Sequence, residues 1–74
     1  MGRLRVLSSR DVCRILAAEG FEEARRRGSH IMMRRQLSDT TITVPVPDHS
    51  ELAVGTLLSI IRQSALPRAL FEEV

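Results

Sequence analysis

The segment RRRGSHIMMRR, residues 25–35, places five arginines around one histidine and contains no acidic residue. Histidine titrates near neutral pH, so the imidazole of His30 can accept and release a proton under physiological conditions. Beside an RNA 2′-hydroxyl it could act as a general base, and it could return a proton to the leaving 5′-oxygen. Arginine holds phosphate through its planar array of N–H groups. The segment therefore has the residue types that phosphodiester cleavage requires, although a solvated hairpin with an inactive histidine is the simpler alternative.

Strand alternation decides which arginines can share a ligand with His30. Successive side chains of a strand point to opposite faces, so Arg26 lies on one face and Arg25 and Arg27 lie on the other. The five arginines therefore cannot all line one groove. We predict that Arg27 and Arg34 contact phosphate, with Arg25 as a further contact. The alternative is that these arginines keep a strand edge soluble and prevent the addition of another strand.

Four further residues are predicted to contact phosphate through backbone N–H groups and hydroxyls. Gly28 lets the backbone approach a ligand closely, and Ser29 adds a hydroxyl donor. At the start of the second predicted helix, Gly55 and Thr56 offer free N–H groups and a hydroxyl, a combination that can bind an anion. The alternatives are an ordinary hairpin turn and an ordinary helix start.

The remaining reactive side chains predict neither a metal site nor a cofactor. The two histidines, His30 and His49, lack the spacing of zinc ligands. Cys13 is the one cysteine, which excludes an internal disulfide and a cysteine cluster. No aromatic residue lies among the arginines, so we expect any RNA contact to rest on phosphate and shape rather than on base stacking.

The composition indicates one small domain, residues 1–74, with an aliphatic core. The chain has no tryptophan, no tyrosine and two phenylalanines, and all eleven of its basic residues are arginine. The formal net charge is +2 and the calculated pI is about 10.0, so a nucleic acid or an acidic protein surface is the expected partner. No apolar run is long enough for a membrane span or a secretory signal, which predicts a cytoplasmic protein with no membrane partner.

Hydrophobic periodicity predicts the order α-β-β-β-α followed by a short C-terminal helix. The segments are SSRDVCRILAAEGF, FEEARRR, HIMMRR, TITVPV, AVGTLLSIIRQSAL and PRALFEEV. Ser8 is the predicted N-cap of the first helix, with Asp11 completing a capping box. The expected buried stripe of the second helix comprises Val54, Leu57, Leu58, Ile61 and Ala65. A three-stranded antiparallel sheet covered by two helices is a two-layer α+β fold, and its second face is left open.

The motifs GSH, TVPVPDHSEL and GTLLSIIRQ, in this order and spacing, resemble the HicA (YcfA-like) family of type II toxin–antitoxin toxins. The resemblance runs from about Leu4 to Phe71. It implies a double-stranded-RNA-binding-domain-like α+β fold and mRNA interferase activity, that is, metal-independent cleavage of mRNA that slows translation and growth. It also implies a HicB-like antitoxin that covers the active surface.

The family's essential histidine follows Gly-Ser or Gly-Thr and corresponds to His30, which implies that His30 is the catalytic residue. Gly28 and Ser29 match its flanking residues, and Gly55 matches the glycine that opens the second helix. The chain departs from the family at Ala53 and Val54, where Lys-Pro is frequent. It departs again at Ala65, where glycine is frequent; alanine is poorer in the left-handed conformation, so we expect the helix to end differently.

Two other classes of function remain open from the sequence. One is a non-catalytic RNA-binding module of the same fold, which would bind RNA in a salt-dependent way without cleaving it. The other is an interaction protein that docks an acidic partner through the arginine hairpin. His30 would have no catalytic role in either class.

Overall fold

The computed structural model describes residues 2–73, and it confirms the predicted α+β fold and the order of its elements. Three antiparallel strands form a sheet in the order β1-β2-β3, and two helices pack against one of its faces. The elements are α1 (Ser9–Ala18), β1 (Glu22–Arg27), β2 (His30–Gln36), β3 (Thr41–Pro47), α2 (Val54–Ser64) and a short 3-10 helix (Arg68–Phe71). No helix in residues 2–73 is long and apolar enough to cross a membrane.

Helix α1 begins and ends where its local sequence signals predict. The Ser8 hydroxyl accepts a hydrogen bond from the Asp11 N–H at 3.1 Å, and the Asp11 carboxylate accepts one from the Ser8 N–H at 3.1 Å. These bonds satisfy N–H groups that lack partners inside the helix, and they hold the pKa of Asp11 below its ordinary value. Gly20, with φ +96°, follows the helix in the conformation that glycine adopts at low cost.

The predicted buried stripe of α2 is wrong in part. Val54 and Leu58 are exposed, at 62% and 41%, and Ala65 is exposed as well. The buried positions are Leu57, Ile60, Ile61 and Ser64. This set follows the i, i+3, i+4, i+7 pattern of one helix face, and it includes a serine that an apolar count overlooks. The Ser64 hydroxyl is satisfied, because it donates to the Ile61 carbonyl at 2.8 Å and accepts from the Leu66 N–H at 3.2 Å.

The end of α2 also differs from the expectation. Ala65 adopts the left-handed conformation, with φ 60° and ψ 20°, and its N–H donates to the Arg62 carbonyl. The helix therefore ends as it would with glycine, although a Cβ in this conformation crowds the backbone. The alanine adds local strain without moving the end of the helix.

The core lies between the helices and the inner face of the sheet. Alternate residues of the two longer strands face the helices and are at most 6% exposed: Ile31, Met33, Val44 and Val46. They join side chains from both helices, the 3-10 helix and the loops in one hydrophobic cluster. Burial of this apolar surface is the main source of stability in a domain of this size.

The two edges of the sheet differ in composition. All six residues of β1 are exposed, and a β-bulge interrupts its pairing with β2 between Glu23 and Arg25. Strand β3 carries Pro45 and Pro47, which have no N–H to offer another strand. Pro45 lies on an edge strand, where a missing N–H is tolerated.

The N-terminal and C-terminal segments contact each other beside the core. The N-terminal arm is extended, with Leu4 bridged to Glu72, and the Arg5 N–H donates to the Phe71 carbonyl at 2.9 Å. Phe71 is completely buried. The Glu72 side chain is 14% exposed and accepts a hydrogen bond from the Arg68 guanidinium at 2.7 Å.

Candidate functional site

The turn that precedes His30 is built by the local sequence. Gly28 and Ser29 connect β1 to β2, and of these two residues Gly28 alone has a positive φ, +58°. A glycine with positive φ at the first position is the pattern of a type II′ hairpin turn, whose twist matches that of the strands it connects. A Cβ at Gly28 would meet no atom within 4 Å, so backbone conformation rather than space requires the glycine.

His30 opens β2 on the face of the sheet that the helices do not cover. Its side chain is exposed, and its backbone pairs with Arg27 on one side and Pro47 on the other. Directly paired residues of antiparallel strands share a face. The imidazole therefore lies between an arginine and a proline on the open face, where a large ligand can reach it.

An open depression surrounds this histidine. It has a volume of about 470 Å³ and is lined by Arg27, Gly28, His30, Met32 and Pro45. Three of these residues, Arg27, Gly28 and His30, were predicted from the sequence. Met32 and Pro45 were not assigned to the site, although strand alternation alone would have placed both on the face of His30. The depression thus combines one titratable group, one fixed positive charge and an apolar floor.

The other arginines divide between the two faces of the sheet. Arg25 pairs with Met32, and Arg34 is two positions further along β2, opposite Thr43. Both lie on the open face with His30, and the backbone positions of His30 and Arg34 are about 13 Å apart at the usual rise per residue. Arg26 pairs with Ile31, and Arg35 pairs with Ile42, so both lie on the opposite face.

Polar contacts that the sequence did not predict hold the end of the hairpin. Arg26 donates to the Asp48 carboxylate at 2.8 Å, and the Ser9 hydroxyl donates to the same carboxylate at 3.2 Å. These two hydrogen bonds, that from Arg26 first, hold the pKa of Asp48 below its ordinary value. The Asp48 N–H donates to the Ser29 carbonyl at 2.8 Å. No local sequence signal indicates these contacts, because 22 and 39 positions separate Asp48 from Arg26 and Ser9.

A second, smaller depression lies on the helix side of the sheet. Its volume is about 250 Å³, and its lining comprises Ser9, Arg10, Cys13, Glu23, Arg26, Ile31 and Asp48. Burial raises the pKa of the Cys13 thiol, which favours the protonated and unreactive form. Cys13 is partly buried and packs against the core as a small hydrophobic side chain.

Gly55 and Thr56 lie in the first turn of α2 and line neither depression. The residue before the helix is Ala53, whose side chain makes no capping bond. The N–H groups at this end are therefore without a side-chain acceptor from the N-cap. The phosphate contacts predicted for Gly55 and Thr56 stay predictions, and the structure does not group these residues with His30.

Across residues 2–73, no three side chains of histidine, cysteine, aspartate or glutamate come together as metal ligands would. His49 is exposed in the loop after β3, and its backbone carbonyl accepts a hydrogen bond from the Ser9 N–H at 3.0 Å. The structure therefore assigns His49 a backbone role at this loop.

Comparison with known proteins finds one family. The model of a family described as "HicA toxin of bacterial toxin-antitoxin" matches residues 9–66. Neither a curated protein nor a solved structure matches the chain significantly. The matched interval runs from the first residue of α1 to just beyond α2, so it contains the open face, the hairpin and His30.

Proposed function

The chain belongs to the HicA family of bacterial toxin–antitoxin toxins, and on this premise we propose that it is an endoribonuclease that cleaves mRNA, with His30 as the proton-transfer group. The observation that carries the proposal is the depression on the open face, in which His30 and Arg27 lie together. No helix covers this face, so an RNA strand can reach both side chains. The site of such a reaction, and its substrate, would lie in the cytoplasm.

The proposed reaction begins with the 2′-hydroxyl of a ribose bound in the depression. Neutral His30 accepts the hydroxyl proton while the 2′-oxygen attacks the adjacent phosphorus, and the bond from phosphorus to the 5′-oxygen breaks. The leaving oxygen takes a proton from the imidazolium or from water. The products are a 2′,3′-cyclic phosphate and a 5′-hydroxyl, and the RNA loses no atom.

Arg27 has the complementary role of stabilising charge. Negative charge builds up on the phosphoryl oxygens as the 2′-oxygen attacks, and a guanidinium placed beside them lowers the barrier. Arg27 and His30 are directly paired, on either side of the two-residue turn. Both side chains can therefore contact the same phosphate group. Arg25 and Arg34 lie on the same face and would bind neighbouring phosphates, which makes the reaction independent of a metal ion in this proposal.

The test is RNA cleavage by the purified protein, with His30→Ala as the variant. We expect loss of cleavage by roughly 10²- to 10⁴-fold, the usual contribution of a general acid–base group, with unchanged folding because His30 is exposed. Cleavage should persist in the presence of a metal chelator. Equal cleavage by both proteins would overturn the catalytic assignment, and salt-dependent RNA binding without cleavage would favour a non-catalytic RNA-binding module.

The antitoxin partner follows from the family, and we propose that a HicB-like protein binds the open face and blocks His30. The exposed arginines of this face would attract an acidic surface. Substituting Arg25 and Arg34 together by glutamine should weaken the complex and make its affinity less dependent on salt. An unchanged affinity would place the antitoxin elsewhere on the toxin.

A further inference from the structure

We propose that Asp48 is a positioning residue for His30: it fastens the exposed end of the β1–β2 hairpin to helix α1. The inference deepens the proposed function and rests on it for its kinetic part. Asp48 follows β3 directly and is distant in sequence from both the hairpin and the helix. Its contacts nevertheless reach both of them.

Apart from the backbone pairing of the strands, the hairpin end has little support. Residues 22–30 are all exposed, and β1 forms an edge of the sheet. Hydrophobic burial, which fixes most side chains of a small domain, is therefore absent from this end. Gly28 adds a residue with wide conformational freedom two positions before His30. The position of His30 must depend on polar contacts to a greater degree than the position of a core residue does.

Asp48 contacts the hairpin both before its turn and within it. Its carboxylate accepts from Arg26, which precedes the turn, at 2.8 Å. Its backbone N–H donates to the carbonyl of Ser29, which is bonded directly to His30, at 2.8 Å. A movement of Asp48 would therefore shift the peptide unit that carries the histidine.

The anchor for Asp48 is the start of α1. Ser9 is 4% exposed, and its hydroxyl donates to the Asp48 carboxylate at 3.2 Å. The Ser9 N–H also donates to the carbonyl of His49, the next residue of the same loop, at 3.0 Å. Side chain and backbone of one buried serine thus hold the loop, and the loop holds the hairpin. We call this set of contacts, made by Ser9, Arg26, Ser29 and Asp48, the hairpin clamp.

An ion pair between exposed side chains contributes little to global stability. Arg26 and Asp48 are 50% and 51% exposed. A positioning role therefore makes a specific prediction: breaking the clamp should reduce the rate of the chemical step more than it reduces the folded fraction. Small displacements of a reacting group are costly, since a shift of about 1 Å can lower a rate by roughly 100-fold.

The kinetic experiment compares Asp48→Asn with Asp39→Asn. Both remove one carboxylate charge, but Asp39 lies exposed in the turn at the opposite end of β2. We expect Asp48→Asn to lower kcat for RNA cleavage about tenfold with KM within twofold of the wild type, because the arginines of the open face remain. Asp39→Asn should match the wild type. A kcat unchanged by Asp48→Asn, or a change confined to KM, would overturn the proposal.

A double substitution tests whether Arg26 and Asp48 affect kcat through one shared contact or independently of each other. If Arg26 acts through Asp48, Arg26→Gln should lower kcat to a similar degree. The combination of Arg26→Gln with Asp48→Asn should then be no slower than the slower single variant, because both remove the same contact. Additive losses would mean that Arg26 and Asp48 act separately, which contradicts the clamp.

A structural measurement tests the clamp without catalysis. Two signals should change in Asp48→Asn and in Arg26→Gln: the exchange rate of the backbone amide at position 48 and the imidazole NMR signals of His30. Neither signal should change in Asp39→Asn. If the wild-type protein fails to cleave RNA, the proposed function fails, while these signals still decide on the clamp. Unchanged exchange and unchanged imidazole signals in both clamp variants would refute it.

Discussion

The two faces of the sheet use the same strands for opposite purposes. In β2 the odd positions 31 and 33 are apolar and buried, whereas the even positions carry His30, Met32 and Arg34 toward solvent. The inner face has helices on it and holds the fold together by hydrophobic burial. The open face has charge, a titratable ring and a shallow apolar floor. The residues that stabilise the fold and those proposed for the chemistry are therefore one position apart along the strand.

This separation means that substitutions at adjacent positions should have different consequences. A change on the inner face should destabilise the protein and affect activity through the folded fraction alone. A change on the open face should affect activity in a folded protein. Neighbouring pairs of identical residue type in β2 allow this comparison with the side-chain chemistry held constant.

The largest effect is expected from the two methionines. Met33 is 3% exposed on the inner face, and Met33→Ala should reduce the free energy of unfolding by about 2–5 kcal/mol, as truncation of a core methionine generally does. Met32 is half-buried on the open face, so Met32→Ala should cost less than about 1 kcal/mol. Denaturant unfolding of both variants measures the difference. Equal losses would show that the open face contributes to the core.

The adjacent arginines sharpen the comparison for ligand binding. Arg34 lies on the open face, and Arg34→Gln should weaken RNA binding several-fold. Loss of one phosphate contact should also reduce the slope of log affinity against log salt by about 0.7. Arg35 lies on the other face beside Gly20, and Arg35→Gln should leave the slope unchanged. RNA titrations with the His30→Ala variant as background, at several salt concentrations, measure both slopes. A loss of slope in Arg35→Gln instead would place the RNA on the helix side.

A smaller effect on stability is expected at the end of α2, where the backbone is strained. Ala65 has a left-handed conformation at the end of α2. Ala65→Gly should relieve the crowding of its Cβ and stabilise the fold by about 1 kcal/mol. Thermal unfolding at neutral pH checks this, and RNA cleavage should not change, since Ala65 lies outside the open-face depression. A destabilised Ala65→Gly variant would show that backbone freedom in the unfolded chain outweighs the strain.

The smallest effect concerns acid stability, to which the hairpin clamp contributes from the helix side of the sheet. The Asp48 pKa is lowered in the folded protein, chiefly by the hydrogen bond from Arg26. A carboxyl with a lowered pKa stabilises the folded state above about pH 4 and loses this contribution as pH falls through its folded pKa. Unfolding measured between neutral and acidic pH should show a shallower acid loss in Asp48→Asn than in the wild type. An identical pH dependence in both proteins would contradict the contribution of Asp48.

The sequence predicts what local signals encode. The Ser8–Asp11 capping box, the Gly28 turn and the alternation of β3 each depend on residues within a few positions, and the structure confirms all three. Alternation in β2 likewise places Met32 on the face of the depression, although no site role is predicted for it. The predicted buried stripe of α2 is wrong in part, and burial of Ser64 depends on hydrogen bonds that form once the helix is in place.

The hairpin clamp lies beyond local prediction altogether. The sequence around Asp48 indicates only a loop. The contacts of its carboxylate depend on the tertiary fold, which places Ser9 and Arg26 beside it. The β-bulge in β1 is not predictable from the sequence either, because no glycine lies at that position. Contacts between distant segments follow from the tertiary arrangement, which periodicity and turn signals do not specify.

The two sheet edges have consequences for the colloidal behaviour of the protein. Edge β3 is protected by proline, whose missing N–H is a covalent property that no buffer changes. Edge β1 is covered by charged side chains, three arginines and two glutamates, whose interactions reach about 10 Å at 0.1 M salt and about 3 Å at 1 M. Concentrated salt therefore removes one protection and leaves the other. Self-association of concentrated protein in high salt should begin along β1, the edge that presents the hairpin of His30.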